Sequence, residues 1–515
     1  MYISKIKLIN FKKFQNFVLE PNPGMNIIVG DNETGKSTIL EAIDLVATAS
    51  VRKVEAIGLD KLFNIDAIKS FCAGERTFYN LPSLIIELYL NDVNDYTLNG
   101  KNNSDGVTCN GLRLVCDPDL DYFSEINQVL TQNEYFPFDY YRIRFSSFAD
   151  EAFTTYRKKL RSVLINSIGM NSINATNDFV KRMYLQYTED DVHERAIHKG
   201  CYRLMKNKFC DQHLRDINKR LPPTTGYKFA LKSASIFGFE NDLTILEDEV
   251  QIDSKGTGRQ VFIKTDFALQ KAGTNVDVIL LEEPENHLSY HNLRRLVDIL
   301  SSTKTGQFFI TTHNNLICTR LDLNHLQILK FEKSSQPLKL QELSEETVKY
   351  FVKAPPAGII EFILAPKTIL VEGPSEYILM ERFYETVKSK KPEDDGVNIL
   401  CIRGLSFKRY LEIARLNNSK VAVITDNDGN FDKNCIQKYK DSVSNNIRIF
   451  YNENNELNTF EKVLFQDNDE LCKGLFDDVE HMIKHKTESA YKLAVSKKVI
   501  NVPQYIREAI EWINE

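Results

Sequence analysis

Residues 25–43 read MNIIVGDNETGKSTILEAI, and the rest of the chain falls into place around them. Met25 to Val29 is a short apolar run of the kind that forms a buried strand. Gly30-Asp31-Asn32-Glu33-Thr34-Gly35-Lys36-Ser37 follows at once and fits G-x-x-x-x-G-K-[ST]. Ile39, Leu40, Ala42 and Ile43 then carry the apolar face of a helix. Strand, loop and helix in that order are the context the motif requires. Glycines let the backbone curl so that several N–H groups face one anion, and the helix N-terminus adds its positive end. Gly30, Asn32, Gly35, Lys36, Ser37 and Thr38 are therefore the expected nucleotide-binding residues. Lys36 would reach the β- and γ-phosphates, and the Ser37 hydroxyl would ligate Mg²⁺. A chance Gly-Lys-Ser turn would lack the flanking strand and helix.

The chain has 515 residues, enough for about three domains of ~150 residues each. Apolar residues make up 42%, which supports full cores. The net charge of −6 excludes a uniformly basic nucleic-acid coat but leaves room for local basic surfaces. Nine cysteines are scattered with no C-x-x-C pair. That pattern fits reduced thiols in the cytoplasm rather than a disulfide framework or zinc ribbon. The opening MYISKIKLINFKKF alternates apolar and polar residues and does not read as a signal peptide. No run of 18 apolar residues exists, so no membrane span is expected.

Ile3, Ile6, Leu8 and Ile9, then Phe11, Phe14, Phe17 and Leu19, predict two or three strands before the loop. Pro21 and Pro23-Gly24 turn the chain into the strand that carries it. Residues 82–98, PSLIIELYLNDVNDYTL, read as a further strand with a polar tip. No acidic strand follows for more than two hundred residues, so the gap holds an insertion. From about Glu151 to Leu221, Phe179, Val180, Met183, Tyr184 and Tyr187 recur at helical spacing. Ile197, Leu204, Leu214 and Ile217 follow more loosely, and Pro222-Pro223 closes the segment. Its basic stretch, Arg157, Lys158, Lys159 and Arg161, reads as a solvated helix face or a phosphate contact. Its apolar faces suit a dimerisation arm.

At 276–288 the chain reads VDVILLEEPENHL. Val276, Val278, Ile279, Leu280 and Leu281 form a nearly unbroken apolar strand, as a central parallel strand would. Glu282 stands where Mg²⁺ coordination is expected, and Glu283 where a base orients the attacking water. With Pro284 and Asn286-His287-Leu288 the stretch resembles ABC-type ATPases, whose usual first acid is Asp. The resemblance implies that His313, ending FFITTH at 308–313, is the switch histidine at the γ-phosphate. It also likens Ser254-Lys255-Gly256-Thr257-Gly258-Arg259-Gln260 to a degenerate ABC signature. Thr257 and Gly258 would then touch the ATP held by the opposite protomer.

A second centre begins beyond Pro355-Pro356. In TILVEGPSE, 368–376, an apolar strand delivers Glu372 to a turn at Gly373-Pro374, and Glu376 opens a helix. In KVAVITDNDGN, 420–430, a second strand delivers Asp426 and Asp428 to a loop. Carboxylates converging from two strand ends suit a hard divalent cation, whereas a D-x-D alone is usually a solvated turn. Both halves together, with Ser375 and with Gly404 between them, resemble the Toprim domain of topoisomerases, primases and certain nucleases.

A P-loop ABC-type ATPase followed by a Toprim domain is similar to the OLD (overcoming lysogenization defect) nucleases, as in Gabija-type and retron-associated effectors. The resemblance implies an α/β chain: ABC ATPase at 1–150 and 223–350, a helical dimerisation insertion at 151–222, and a Toprim nuclease domain at 357–515. It implies ATP and Mg²⁺ or Mn²⁺ as cofactors, with metal ligands Glu372, Glu376, Asp426, Asp428 and Glu461 beside Ser37 in the ATPase. Lys486 is the implied lysine near the scissile phosphate. Implied partners are double-stranded DNA, phage DNA among them, a second copy or higher homo-oligomer, and a helicase or a retron reverse transcriptase with its msDNA; no membrane is involved. The implied activity is an ATP-gated DNA endonuclease in anti-phage defence. Two rivals stay open: a tRNA- or RNA-cleaving effector, and a DNA-sensing structural ATPase without nuclease activity. The tail VPQYIREAIEWI reads as an amphipathic helix that only packs.

Overall fold

Alternation in the first residues builds strand β1 (Tyr2–Phe11), which buries Ile3, Ile6, Leu8 and Phe11. The computed structural model describes residues 1–132, 135–155, 158–166, 173–188, 191–221, 226–232, 239–270, 276–286, 288–303, 305–330, 337–354, 358–403, 406–476 and 478–515. Among them two compact units are distinguished: Met1–Thr312 with Phe331–Pro337, and His313–Lys330 with Leu338–Glu515. The Pro355-Pro356 pair suggested a later division. Of the stretch expected to form the second half of the ATPase, residues 313–330 and 338–350 fall in the second unit. Pro222-Pro223, Pro355-Pro356, Arg157, His287 and Gly404 lie outside the described residues.

In the first unit β2 (Phe14–Leu19) turns back on β1, and β3 (Met25–Gly30) carries the phosphate loop. Helix α1 (Lys36–Thr48) and the short α2 (Val51–Ile57) follow. Strands β4 (Leu84–Asn91), β5 (Cys109–Pro118) and β6 (Tyr141–Ser147) extend β1 and β2 into one antiparallel sheet, β2–β1–β4–β5–β6. Helix α3 (Phe123–Gln132) lies in the connection between β5 and β6.

The second sheet of this unit is parallel. β7 (Ser162–Asn166), β8 (Val278–Glu282) and β9 (Gln307–Thr311) join β3 in the order β3–β9–β8–β7. Every residue of β8 is buried. Each aliphatic side chain withdrawn from water this way contributes roughly 1.5–3 kcal/mol, which is why the run reads as unbroken apolar sequence. β7 corrects one expectation. Residues 151–222 are not helical throughout, because Ser162–Asn166 pairs in register with Val278–Glu282 and buries Val163 and Ile165. Helices α4 (Ile173–Tyr187), α5 (Val192–His213) and α6 (Arg215–Asn218) supply the helical remainder. Helix α7 (Thr257–Gln270) precedes β8.

The second unit holds a parallel sheet, β11–β10–β12–β13, made of β10 (Lys367–Val371), β11 (Val397–Cys401), β12 (Lys420–Ile424) and β13 (Ile447–Phe450). Helices α8 (Pro374–Lys388), α9 (Phe460–Asp467), α10 (Lys486–Val495) and α11 (Gln504–Ile513) share one core with it, including Val371, Phe383, Ile424, Phe460 and Ile510. No helix among the described residues is long and apolar enough to cross a membrane.

Candidate functional site

The first candidate centre is the turn from β3 into α1. Gly35 takes φ 101°, and a Cβ there would stand 2.5 Å from the Phe14 ring, so only glycine fits. Lys36 Nζ donates to the Gly30 and Asp31 carbonyls, each at 2.8 Å. Burial lowers the Lys36 pKa, opposed by the charges of Glu283, Asp31 and Glu285. Asn32 lies in the loop, and Thr38 follows Ser37 in the first turn of α1. Glu282, the last residue of β8, is pushed up in pKa by burial, while a hydrogen bond from Ser37 and the nearby Glu283 and Glu41 act on it in opposite senses. Ser37 and Glu282 thus meet from opposite ends of the motif.

Glu283 sits at φ 43°, an uncommon backbone state for a side-chain-bearing residue and one found at working sites. Its N–H donates to the Thr311 carbonyl at 3.0 Å, and Asn286 Nδ2 donates to its Oε2 at 2.8 Å. Thr312 Oγ1 donates to Glu285 Oε1 at 2.6 Å, closing a network across the ends of β8 and β9. Thr257 and Gly258 form the first turn of α7. Beside them Glu247 holds Lys255 (3.1 Å) and Arg259, and Gln260 Nε2 donates to the Lys255 carbonyl at 2.9 Å. His313 opens the second unit, directly after Thr312.

The second candidate centre lies at the carboxyl ends of β10 and β12, where open parallel sheets bind ligands. Glu372 follows β10, and its Oε2 accepts from Thr425 Oγ1 at 3.3 Å. Glu376 enters from the first turn of α8, Glu461 from the first turn of α9, and both are buried. Lys486, at the start of α10, stands 3.0 Å from Glu461 Oε2. Burial raises the Asp426 pKa to about 8, reinforced by Glu376, Glu372 and Glu461 and opposed by Lys486. Burial likewise raises Glu376 to about 7, with Glu461 and Glu372 adding to it. The structure therefore brings together Glu372, Glu376, Asp426, Glu461 and Lys486. Asp428 is exposed on the following turn at φ 49°, its N–H donating to the Asn458 carbonyl at 3.2 Å.

Two residues here escape sequence reasoning. Asn427, between the aspartates, is buried and staples the 452–458 loop. Its Nδ2 donates to the carbonyls of Asn452 (2.7 Å) and Asn454 (2.9 Å), while its Oδ1 accepts from Gly429 N (2.8 Å). Tyr505, on the tail helix α11, is buried with its hydroxyl held far above the usual phenol range by burial and by Asp426, Glu376 and Glu461. The apolar stripe of that helix signals packing and hides the hydroxyl.

A divalent cation suits this donor set. Crowded carboxylates take up protons for want of a counter-charge, and Asn458 Oδ1 and Thr459 Oγ1, beside them, are buried without a hydrogen-bond partner. Among the described residues no three His, Cys, Asp or Glu side chains are drawn to direct-ligation spacing.

Residues 1–219 match the model of an AAA ATPase domain. Residues 363–428 match the Toprim domain of overcoming-lysogenization-defect-like proteins. The DNA replication and repair protein RecF of Lachnoclostridium phytofermentans is 43% identical over 53 residues, 10% of this chain and 15% of that protein. RecF of Clostridium botulinum is 49% identical over 43 residues, 8% of this chain and 12% of that protein. The matches thus span less than a sixth of the length of these curated relatives. Among solved structures, an Smc head bound to the C-terminal winged-helix domain of ScpA aligns over 66% of this chain and 99% of its own at 19% identity, TM-score 0.34. A nucleotide-bound RecF aligns over 65% and 98% at 14% identity, TM-score 0.34. With an AAA ATPase domain followed by an OLD-like Toprim domain, the chain has the domain architecture of the OLD family.

Proposed function

We propose that this chain is an ATP-regulated, metal-dependent DNA endonuclease of the OLD type that acts against phage. The observation that carries this reading is the meeting of Glu372, Glu376, Asp426 and Glu461 with Lys486 at the ends of β10 and β12. A divalent cation, Mg²⁺ or Mn²⁺, held there supplies an acidified water and charge for the departing oxygen of a phosphodiester. Those four carboxylates, with Asp428 on the next turn, would hold the ion, most of them through its bound waters. Lys486 places a positive charge where negative charge builds in the transition state.

In the ATPase, Lys36 and the loop N–H groups take the phosphates, and Ser37 with Glu282 takes their magnesium. Glu283 orients water, His313 meets the γ-phosphate, and Thr257 and Gly258 complete the site from a second copy. Hydrolysis serves as a switch that admits DNA to the acidic centre. The RecF likeness, though local, supports DNA over RNA as the substrate, and a helicase or retron complex would supply the trigger. The test incubates purified protein with supercoiled plasmid and, separately, total tRNA, with Mg²⁺ or Mn²⁺, with and without ATP. Plasmid nicking lost in Asp426→Ala supports the reading. Cleavage of tRNA alone replaces DNA with RNA, and cleavage of neither leaves a sensing ATPase.

A further inference from the structure

Just beyond the loop that carries Asp426 and Asp428, the backbone takes an uncommon form. Asp432–Gln437 is wound as a π-helix, which the Lys438 N–H closes on the Lys433 carbonyl, five residues back. Such turns are rare and are found mostly at functional sites. This one is clamped to the acidic loop. Asn434 Nδ2 donates to the Asn427 carbonyl at 2.9 Å, and Cys435 Sγ donates to the Asp426 carbonyl at 3.6 Å. Just before it, the Phe431 N–H donates to Asn455 Oδ1 at 3.0 Å. Cys435 and Tyr439 are both buried, so the turn is seated from either end. Its position relative to Asp426 is therefore fixed.

What the turn delivers is Lys438, exposed beside the buried Tyr439. Its Nζ stands 5.1 Å from the centre of the Tyr439 ring, a contact that orients an ammonium without neutralising it. Partial burial opposes its charge, while Tyr439, Glu372 and Asp428 raise its pKa. Lys486 is held differently. It pairs with Glu461 at 3.0 Å, and although burial opposes its charge, Glu461, Asp426 and Glu376 raise its pKa. The two lysines thus divide the cluster. Lys486 answers to Glu461, Asp426 and Glu376, and Lys438 to Glu372 and Asp428. Carboxylates repel an incoming phosphate, so a polyanion laid across this centre is drawn in by its cations.

We infer that Lys438 is a second phosphate-binding residue of the acidic centre, holding a DNA backbone phosphate next to the scissile one, at the Glu372 and Asp428 end and away from Lys486. The inference rests on the nuclease reading above and adds the line along which the substrate backbone runs. Lys438 anchors the strand across the metal carboxylates and does not touch the bond that breaks. Its loss therefore weakens the hold on substrate, whereas Lys486 acts where charge develops.

The test compares the full-length wild type with Lys438→Gln, which keeps the stem against Tyr439 and removes the charge, and with Lys438→Arg. In plasmid cleavage with Mn²⁺, Lys438→Gln should raise KM about tenfold and change kcat by less than about twofold. Binding of a fluorescent DNA duplex, read by anisotropy with Ca²⁺ as the divalent cation, should lose about one unit of its slope against log salt. Lys438→Arg should restore both, since a guanidinium also holds phosphate. Calorimetric Mn²⁺ binding and the thermal midpoint should match wild type in both variants. Unchanged KM and salt slope in Lys438→Gln, with a wild type that cuts, would overturn the inference alone. Lost Mn²⁺ binding, or kcat falling as far as kcat/KM, would overturn it in favour of a lysine that shapes the metal site. A wild type that neither binds nor cuts DNA would overturn the nuclease reading and this inference with it.

Discussion

Arg182 Nη1 stands 2.9 Å from Asp44 Oδ1, tying helix α4 to the helix that follows the phosphate loop. Lys53 of α2 takes the other carboxylate oxygen. The Asp44 side chain is fully buried, and although burial opposes ionisation, Arg182 and Lys53 hold its pKa down to about 2 against an ordinary 3.8. Removing the carboxylate leaves two cations without their partner. Asp44→Asn should therefore destabilise the ATPase unit by about 3 kcal/mol, read as a lower thermal midpoint. Because the folded pKa is depressed, the contribution is fully present above about pH 4 and fades as pH falls towards 2. A wild-type advantage that stayed constant across that window would mean the ion pair is not its source.

Lys36 is already drawn onto the loop, bonded to the Gly30 and Asp31 carbonyls. Lys36→Ala removes a charge and its bonds to phosphate together, so ATP affinity should fall by roughly 100-fold or more. Titration with a fluorescent nucleotide reads this directly. Unchanged affinity would place the nucleotide elsewhere.

Glu282 and Glu283 are neighbours with different surroundings. Ser37 hydrogen-bonds Glu282, whereas Asn286 holds Glu283 and the charge of Glu283 acts on Lys36. Glu283→Gln preserves size and removes the base, so ATP should bind and turnover should fall by ~10² or more. Should Glu282→Gln, rather than Glu283→Gln, give the trapped ATP-bound protein, the two roles are exchanged.

What the sequence reveals tracks how local each feature is. The phosphate loop, its strand and its helix lie within the 24 consecutive residues Met25–Thr48, and each half of the acidic centre is a strand with its own turn. Both were legible. Ser162–Asn166 was not, since its partner Val278–Glu282 is more than a hundred residues away and a five-residue strand has little pattern of its own. Asn427 looked like a spacer between two aspartates; only the return of the 452–458 loop shows it as a hub. Tyr505 sits on the buried stripe of α11, where a tyrosine and a phenylalanine read alike until the acids appear beside its hydroxyl.

The acidic centre and the phosphate loop belong to different compact units, and that separation gives the sharpest expectation. Asp426→Ala removes a carboxylate from the middle of the cluster, the one on which Glu376, Glu372 and Glu461 all act. Glu372→Ala removes another from the neighbouring strand end. A site that leans on few carboxylates loses its cation with either change, so calorimetric Mn²⁺ binding to the second unit should vanish with DNA cleavage. Lys486→Ala acts differently. It leaves all the carboxylates in place but strips Glu461 of its partner and the phosphate of a nearby positive charge. Metal should still bind while cleavage slows by ~10² or more. ATP turnover should stay near wild type in all three variants, because Lys36, Ser37, Glu282 and Glu283 are untouched. ATPase lost together with cleavage in Asp426→Ala would show one coupled reaction rather than two centres. DNA cleavage that survived both Asp426→Ala and Glu372→Ala would remove the acidic centre from the chemistry altogether.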